Sequence, residues 1–129
     1  MKIELEQNVV DAALDRMRYL FDEFEEVIVG FSGGKDSTCT FNLALQVAKE
    51  KNRLPLKVAF IDQEAEWQAT IDYVRSIMYR EDVEPLWYQI PLKMTNSTST
   101  FEGWLQCWEE GKEDKWIRPK DPISIKENT

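Results

Sequence analysis

Three short apolar runs alternate with segments of helical periodicity, and this alternation restricts the fold more than any other feature. The runs cover residues 26–31, 56–61 and 86–90 and are rich in β-branched and aromatic residues. Between them, apolar residues recur at helical spacing over residues 36–51 and 67–79. Strand–helix–strand units connect through right-handed crossovers in parallel sheets. The sequence therefore predicts an α/β fold with three layers, a parallel sheet between helices, and a first strand buried on both faces.

The segments on either side of this core complete one predicted domain covering residues 1–129. Asn8 is positioned to cap an amphipathic helix within residues 1–25. The core occupies residues 26–91 and ends at a proline, and a tryptophan-rich segment fills residues 92–129.

The tryptophan-rich segment gives weaker signals than the core. The polar stretch "TNSTST" (95–100) predicts a loop that caps a helix. The sequence "FEGWLQCWEEG" (101–111) then predicts a short amphipathic helix carrying Trp104 and Trp108. One brief strand is expected around residues 123–125.

Composition excludes several classes of protein. The net charge of −8 argues against binding to nucleic acid by bulk electrostatics. Apolar runs are too short for a membrane span, and the N-terminus lacks the pattern of a signal peptide, so we expect a cytoplasmic protein. With no histidine and two cysteines, the chain cannot supply a Ser-His-Asp or Cys-His site, nor the ligands of an iron–sulfur cluster.

The stretch "SGGKDS" (32–37) joins the first predicted strand to the following helix. Ligands of open α/β sheets bind at this end of the strands. Gly33 and Gly34 allow a tight turn that presents several amides to one point, next to the positive end of a helix. Lys35 adds a full charge, and Ser32 and Ser37 add hydroxyl donors. These residues predict a site for a phosphate, pyrophosphate or sulfate group.

Two common phosphate motifs do not match this loop. The spacing of a Walker A loop places lysine where glycine is required, and the dinucleotide pattern G-x-G-x-x-G is absent. The remaining alternative is a glycine-rich turn that binds no ligand.

"VIVGF" followed by "SGGKDS" resembles the PP-loop of the adenine nucleotide α-hydrolase superfamily, in the form found in phosphoadenosine phosphosulfate (PAPS) reductases. "KVAFIDQEAEWQATIDYV" (57–74) is similar to the second strand, acidic turn and helix of that family. "WLQCWEEGKEDKWIRP" (104–119) is similar to a segment of a phage- and prophage-borne branch.

The resemblance implies a binding site for ATP or PAPS. Ser32, Gly33, Gly34, Lys35, Asp36 and Ser37 would hold the pyrophosphate or the terminal sulfate, with Lys35 and Asp36 as the catalytic candidates. The backbone around Phe60 and Ile61 would face the adenine, and Asp62 would lie near the adenosine or a bound Mg²⁺. Magnesium accepts hard oxygen ligands together with phosphates.

Several residues keep two interpretations. Asp62, Glu64 and Glu66 are either magnesium ligands or an acidic turn that caps a helix. Arg118 either closes over the anion or lies on the surface. Cys39 is a reactive thiol or, as we favour, small buried filling, and Cys107 is interpreted as packing. The tryptophans could stack on a base but more often form core or interface.

Families with this loop build five parallel strands in the order 3-2-1-4-5, whereas three are readable here. The resemblance therefore implies a sheet that is short or incomplete at its C-terminal side, with one edge of the first strand open. Because open edges are usually covered, we expect the tryptophan-rich segment or a second subunit to lie there. Alternatively, the chain is the N-terminal piece of a longer enzyme.

These features favour an adenine-nucleotide-binding PP-loop domain acting on an α–β phosphoanhydride or a sulfonucleotide. Thiol-dependent PAPS reductases use a cysteine in a C-terminal segment that has no counterpart here, so we expect no reduction of PAPS by this polypeptide alone. The main alternative is a non-catalytic regulatory or interaction protein that keeps the fold. An RNA-modifying adenylase is disfavoured by the charge.

Overall fold

The computed structural model describes residues 1–127, so the last two positions of the predicted C-terminal segment lie outside the described residues. The helices are α1 (Val9–Glu23), α2 (Lys35–Glu50) and α3 (Gln68–Met78). The strands are β1 (Ile28–Gly30), β2 (Leu56–Ile61), β3 (Val83–Tyr88), β4 (Leu92–Thr95) and β5 (Trp104–Cys107), and a 3₁₀ turn covers Glu113–Lys115. None of the helices in this part of the chain is long and apolar enough to cross a membrane.

Strands β1, β2 and β3 form a parallel sheet in that order, which confirms the predicted α/β fold. The predicted helices begin and end within one residue of α2 and α3. The predicted cap is also present, because the side chain of Asn8 accepts a hydrogen bond from the backbone N–H of Asp11 at 2.8 Å. Pro85 lies within β3, an edge strand, where a missing amide is tolerated.

The two faces of the sheet differ in burial. Val29 and Val58 lie side by side in the core, which also contains the buried residues of α1, α2 and α3. On the opposite face, Ile28 and Ile61 are 52% and 58% exposed. The prediction that β1 is buried on both faces is therefore wrong. Because each strand lies beside the previous one, right-handed crossovers place α2 and α3 on the same face, and the helical layer expected on the other face is not among residues 1–127.

The predicted helix over residues 101–111 is also wrong. Trp104–Cys107 instead forms β5, which pairs antiparallel with β4 from Thr95↔Trp104 to Leu92↔Cys107. The predicted polar loop is present as the connection of this hairpin, but it caps no helix. A stretch this short does not distinguish the period of a helix from that of a strand. The spacing of Trp104, Cys107 and Trp108 fits a helix, whereas the strand that pairs with residues 104–107 lies elsewhere in the sequence.

The end of the chain docks beside β3. Ile125 forms one parallel bridge with Tyr88, where a brief strand was predicted. Asp121 accepts hydrogen bonds from Arg75 Nε at 3.1 Å and from Tyr79 Oη at 2.8 Å, so the docked segment is tied to α3. One alternative expected the tryptophan-rich segment to cover the open edge of β1, but this segment lies beside β3. No described strand pairs with the outer edge of β1, and a second subunit at this edge stays a prediction.

Candidate functional site

The loop between β1 and α2 lies at the carboxyl ends of the strands, where the sequence predicted a binding site. Gly33 has a φ of +78°, a left-handed conformation that favours glycine. A Cβ atom at this position would also lie 2.9 Å from Thr70 Cγ2 of α3. The loop therefore packs directly on α3, and Gly33 is required by both its conformation and its surroundings.

The amides at the start of α2 are available to a ligand. Gly34 is the N-cap residue and provides no side-chain hydrogen bond to them. The first intrahelical bond is donated by the N–H of Thr38 to the carbonyl of Gly34 at 3.0 Å. The N–H groups of Lys35, Asp36 and Ser37 thus precede any intrahelical partner and form the positive end of a helix of 16 residues.

Hydroxyl groups hold this loop in shape. Ser37 Oγ lies 3.0 Å from Ser32 Oγ, accepts from the N–H of Ser32 at 3.2 Å and donates to the carbonyl of Gly34 at 3.1 Å. Thr38 Oγ1 lies 3.1 Å from Tyr73 Oη, which links the first turn of α2 to α3. The conformation of the loop is therefore fixed by hydrogen bonds of its own side chains.

Lys35 and Asp36 point into solvent. Their side chains are each 91% exposed, and Lys35 Nζ lies 3.2 Å from Asp36 Oδ1. An ion pair this exposed contributes little to stability. Both groups are free to reorient toward an anion on the loop.

A pocket of about 330 Å³ lies next to the loop and touches it through Ser32 and Ser37. Its floor is made of small residues, since Gly30 pairs with Ala59 on the open face of the sheet. A Cβ atom at Gly30 would meet nothing within 4 Å, so the space above this residue is open. The pair of small residues in neighbouring strands creates the pocket.

The predicted adenine-facing residues line this pocket. Ile61 is 58% exposed and presents its side chain to it. The ring of Phe60 is buried against Trp87, with centroids 6.1 Å apart, so Phe60 contributes main chain to the pocket. The structure thus brings Ser32, Ser37, Phe60 and Ile61 together at one pocket, with Gly33, Gly34, Lys35 and Asp36 on the adjoining loop.

Asp62 follows β2 but points into the protein. It is 1% exposed, and its carboxylate accepts hydrogen bonds from four groups. Trp87 Nε1 and Gln89 Nε2 donate to Oδ2 at 3.0 and 2.9 Å, and the N–H of Glu64 donates to Oδ1 at 2.9 Å. The fourth donor is the guanidinium of Arg118. All the acceptor sites of this carboxylate serve the fold.

Arg118 is neither on the surface nor over the loop. Its side chain is 9% exposed, and it donates to the carboxylate of Asp62 and to the carbonyl of Glu64. The guanidinium also lies over the ring of Trp108, 5.3 Å from its centroid. A buried ion pair of this kind links the C-terminal segment to the end of β2.

The acidic turn does not fit a magnesium ion held by Asp62. A ligand carboxylate needs an oxygen directed at the metal, and both oxygens of Asp62 are directed at protein donors. The side chain of Glu64 accepts instead from the N–H of Trp108 at 2.5 Å. Within residues 1–127, no group of three or more histidine, cysteine or acidic residues is placed to hold a metal.

Glu66 is the residue of this turn that reaches the pocket. It lines the wall beside Gln63 and is partly buried. Burial raises the pKa of the Glu66 carboxyl above its usual range, with a smaller contribution from the negative charge of Asp62. The sequence analysis grouped Glu66 with Asp62 and Glu64. Only the path of the backbone after β2 places Glu66 at the pocket and the other two carboxylates against protein donors.

The cysteines and tryptophans lie outside the pocket. Cys39 is exposed on α2, so the interpretation as buried filling is wrong, because the buried face of α2 runs through Phe41, Ala44 and Ala48 instead. Cys107 is buried 3.7 Å from Met94 Sδ, as expected for packing, and burial raises the pKa of its thiol. Trp108 is fully buried and donates through Nε1 to the carbonyl of Asp62 at 2.8 Å.

A second cavity of about 330 Å³ lies at the opposite end of the strands. Its arginine, Arg53, donates to the main-chain carbonyls of Phe21, Phe24 and Glu25 at the end of α1. The charge of Arg53 is therefore used to bind the carbonyls that end α1, and none of the residues that line this cavity lies at a helix N-terminus. The pocket beside residues 32–37 is the better candidate site.

Sequence reasoning missed three contributors to the site. Gly30 and Ala59 form the floor of the pocket, and the sequence pattern that could have identified them is two small residues among the bulky residues of β1 and β2. Tyr73 holds Thr38 and also packs on Phe31 with ring centroids 5.8 Å apart. Its role has no local signal, because it arises from the packing of α3 on the loop.

Comparison with known families matches residues 26–123 to the phosphoadenosine phosphosulfate reductase domain. The chain is also 37% identical over 128 residues to the uncharacterized protein YbdN of Escherichia coli (strain K12). That alignment covers 95% of this chain but 31% of YbdN, so the chain spans less than a third of this relative. No solved structure matches. These matches support the family and do not point to a phage-borne branch.

Proposed function

We propose that this chain, which belongs to the phosphoadenosine phosphosulfate reductase domain family, binds an adenine nucleotide with its 5′-phosphate or phosphosulfate group on residues 32–37. The observation that carries the proposal is the junction of an open helix N-terminus with a pocket of about 330 Å³. Ligand pockets typically begin at about this volume. The small floor at Gly30 and Ala59 leaves room for a planar base.

Each part of the loop has a task in this proposal. The amides of Lys35, Asp36 and Ser37 would donate to the phosphate or sulfate oxygens, and Lys35 would add a full positive charge. Ser32 and Ser37 would orient those oxygens. If the protein is catalytic, these donors stabilise the charge that develops when an α–β phosphoanhydride or a phosphosulfate bond is broken.

Magnesium supplies charge neutralisation when it accompanies a nucleotide's phosphates. Asp62 does not hold it in this proposal, because its carboxylate is saturated by protein donors. A cytoplasmic location is also part of the proposal, since adenine nucleotides are abundant there.

The test is thermal stabilisation by ATP, AMP, PAPS and pyrophosphate. A ligand at 100 times its Kd stabilises a folded protein by about 2.7 kcal/mol. We expect Lys35→Ala to abolish this stabilisation, because it removes the charged donor of the loop. Lys2→Ala removes the same charge from another exposed position and serves as the control. Unchanged stabilisation of the Lys35→Ala variant would exclude the loop as the binding site.

A second measurement separates an enzyme from a non-catalytic regulatory protein. Release of pyrophosphate from ATP, assayed with and without Mg²⁺, identifies turnover at the α–β phosphoanhydride. Nucleotide binding without any turnover of ATP or PAPS supports the regulatory alternative. The exposed, preorganised loop is common to both functions.

A further inference from the structure

We propose that Glu66 makes the pocket selective for adenine nucleotides whose ribose carries no 3′-phosphate. This inference rests on the proposed function and narrows it to a substrate class. Adenosine 5′-phosphosulfate and ATP belong to that class, whereas PAPS does not.

The loop of residues 32–37 sets the position of a bound nucleoside. The pocket meets the loop at Ser32 and Ser37, and its floor is Gly30 and Ala59. A nucleotide with its 5′-phosphate group on the loop therefore places its ribose and base inside this pocket. A phosphate attached to the ribose would have to share the same space.

The wall of this pocket carries a negative charge. Its lining residues are Gly30, Phe31, Ser32, Ser37, Ala59, Phe60, Ile61, Gln63 and Glu66. Glu66 is the one ionisable group among them, and no described lysine or arginine belongs to the lining. A second phosphate on the ribose would meet a carboxylate and, among the described residues that line the pocket, no lysine or arginine.

The guanidinium of Arg118 is already engaged within the protein. Arg118 lies close enough to influence Glu66, but its side chain is 9% exposed and is bound to Asp62 and Glu64. Recruiting Arg118 for a phosphate would leave Asp62 buried without its partner, which is strongly unfavourable. This arginine is therefore not available to a ribose phosphate.

Glu66 and Gln63 provide hydrogen-bonding groups for an unmodified ribose. A carboxylate accepts hydrogen bonds from hydroxyl groups, and an amide both donates and accepts. Partial burial strengthens such bonds and also strengthens repulsion of an added negative charge. The same side chain thus favours free hydroxyls and disfavours a phosphate.

Adenosine 5′-phosphosulfate and PAPS test the inference, because they differ by the 3′-phosphate alone. Their Kd values are measured by calorimetry on the full chain, in buffer with a chelator and at fixed ionic strength. We expect the wild-type protein to bind adenosine 5′-phosphosulfate at least about tenfold more tightly than PAPS, the order of effect of one charge pair across a partly buried site. Glu66→Gln keeps the shape of the side chain but replaces the carboxylate by a neutral amide, and it should reduce this ratio several-fold.

Glu81→Gln is the matched control, because Glu81 is exposed and lies just before β3, at the opposite end of the sheet. It should leave the ratio as in the wild type. Equal affinity of the wild type for the two ligands, or an unchanged ratio in Glu66→Gln, would overturn the inference while leaving the proposed function standing. Binding of neither ligand would overturn both.

Discussion

The two βα junctions at the carboxyl end of the sheet are both polar, but they differ in whether their polar groups already have partners in the protein. Residues 32–37, after β1, present open amides and an exposed lysine to solvent. Asp62, after β2, is buried, and its carboxylate is saturated by protein donors. The polar groups of the first junction are open to solvent, whereas those of the second bind the chain's own C-terminal segment.

A polar residue at the carboxyl ends of the strands is not a site residue by its position alone. What distinguishes the junctions is whether the polar groups already have partners. A buried carboxylate with its hydrogen bonds made contributes to the fold, whereas unpaired amides at a helix N-terminus remain available. Three predictions test this difference.

The largest expected effect is the loss of stability in Asp62→Ala. Removing this carboxylate leaves Arg118 buried and the donors of Trp87 and Gln89 unpaired. Breaking a buried ion pair in this way costs about 3–5 kcal/mol, which urea denaturation measures directly. Asp36→Ala removes an exposed acidic residue of the other junction and should change the free energy of unfolding by less than about 0.5 kcal/mol. Similar losses in both variants would contradict the distinction.

An intermediate effect is expected at Gly33. Gly33→Ala combines a left-handed backbone with a Cβ atom 2.9 Å from Thr70 Cγ2, whereas Gly111 has the same φ of +78° and open space around it. Gly111→Ala should therefore cost about 1–2 kcal/mol for the backbone alone. Gly33→Ala should cost about 1–3 kcal/mol more through overpacking on α3. Equal losses in chemical denaturation would mean that the loop does not pack tightly on α3.

The smallest expected effect is the pH dependence contributed by Glu66. Its pKa is raised in the folded protein above the ordinary value of 4.5, chiefly by burial. The folded state then binds more protons than the unfolded state, so this contribution to stability is full below pH 4.5 and is lost as the pH rises through the folded pKa. Glu66→Gln should be more stable than the wild type at pH 7 and should lose this advantage at pH 4. An advantage that stays constant with pH would refute this assignment.

Much of the core was predictable because its signals are local. The period of the apolar residues predicted the bounds of α2, α3 and β2 nearly to the residue. The glycines and the lysine at the first junction predicted the loop. The hairpin of β4 and β5 was not predictable, because a strand of four residues acquires its identity from its partner. The exposure of Ile28 and the roles of Arg118 and Tyr73 likewise depend on which elements meet in space.

The sequence by itself determined the order of strands and helices from α1 to β3 and the chemistry of residues 32–37, because period and backbone freedom act over a few neighbouring residues. Only the tertiary structure decided what the acidic turn after β2 does. Asp62 turns inward to Arg118, 56 positions later in the chain, and Glu66 turns to the pocket. Burial and long-range pairing set the free energy of a charge, and neither quantity can be read from a residue's neighbours in sequence.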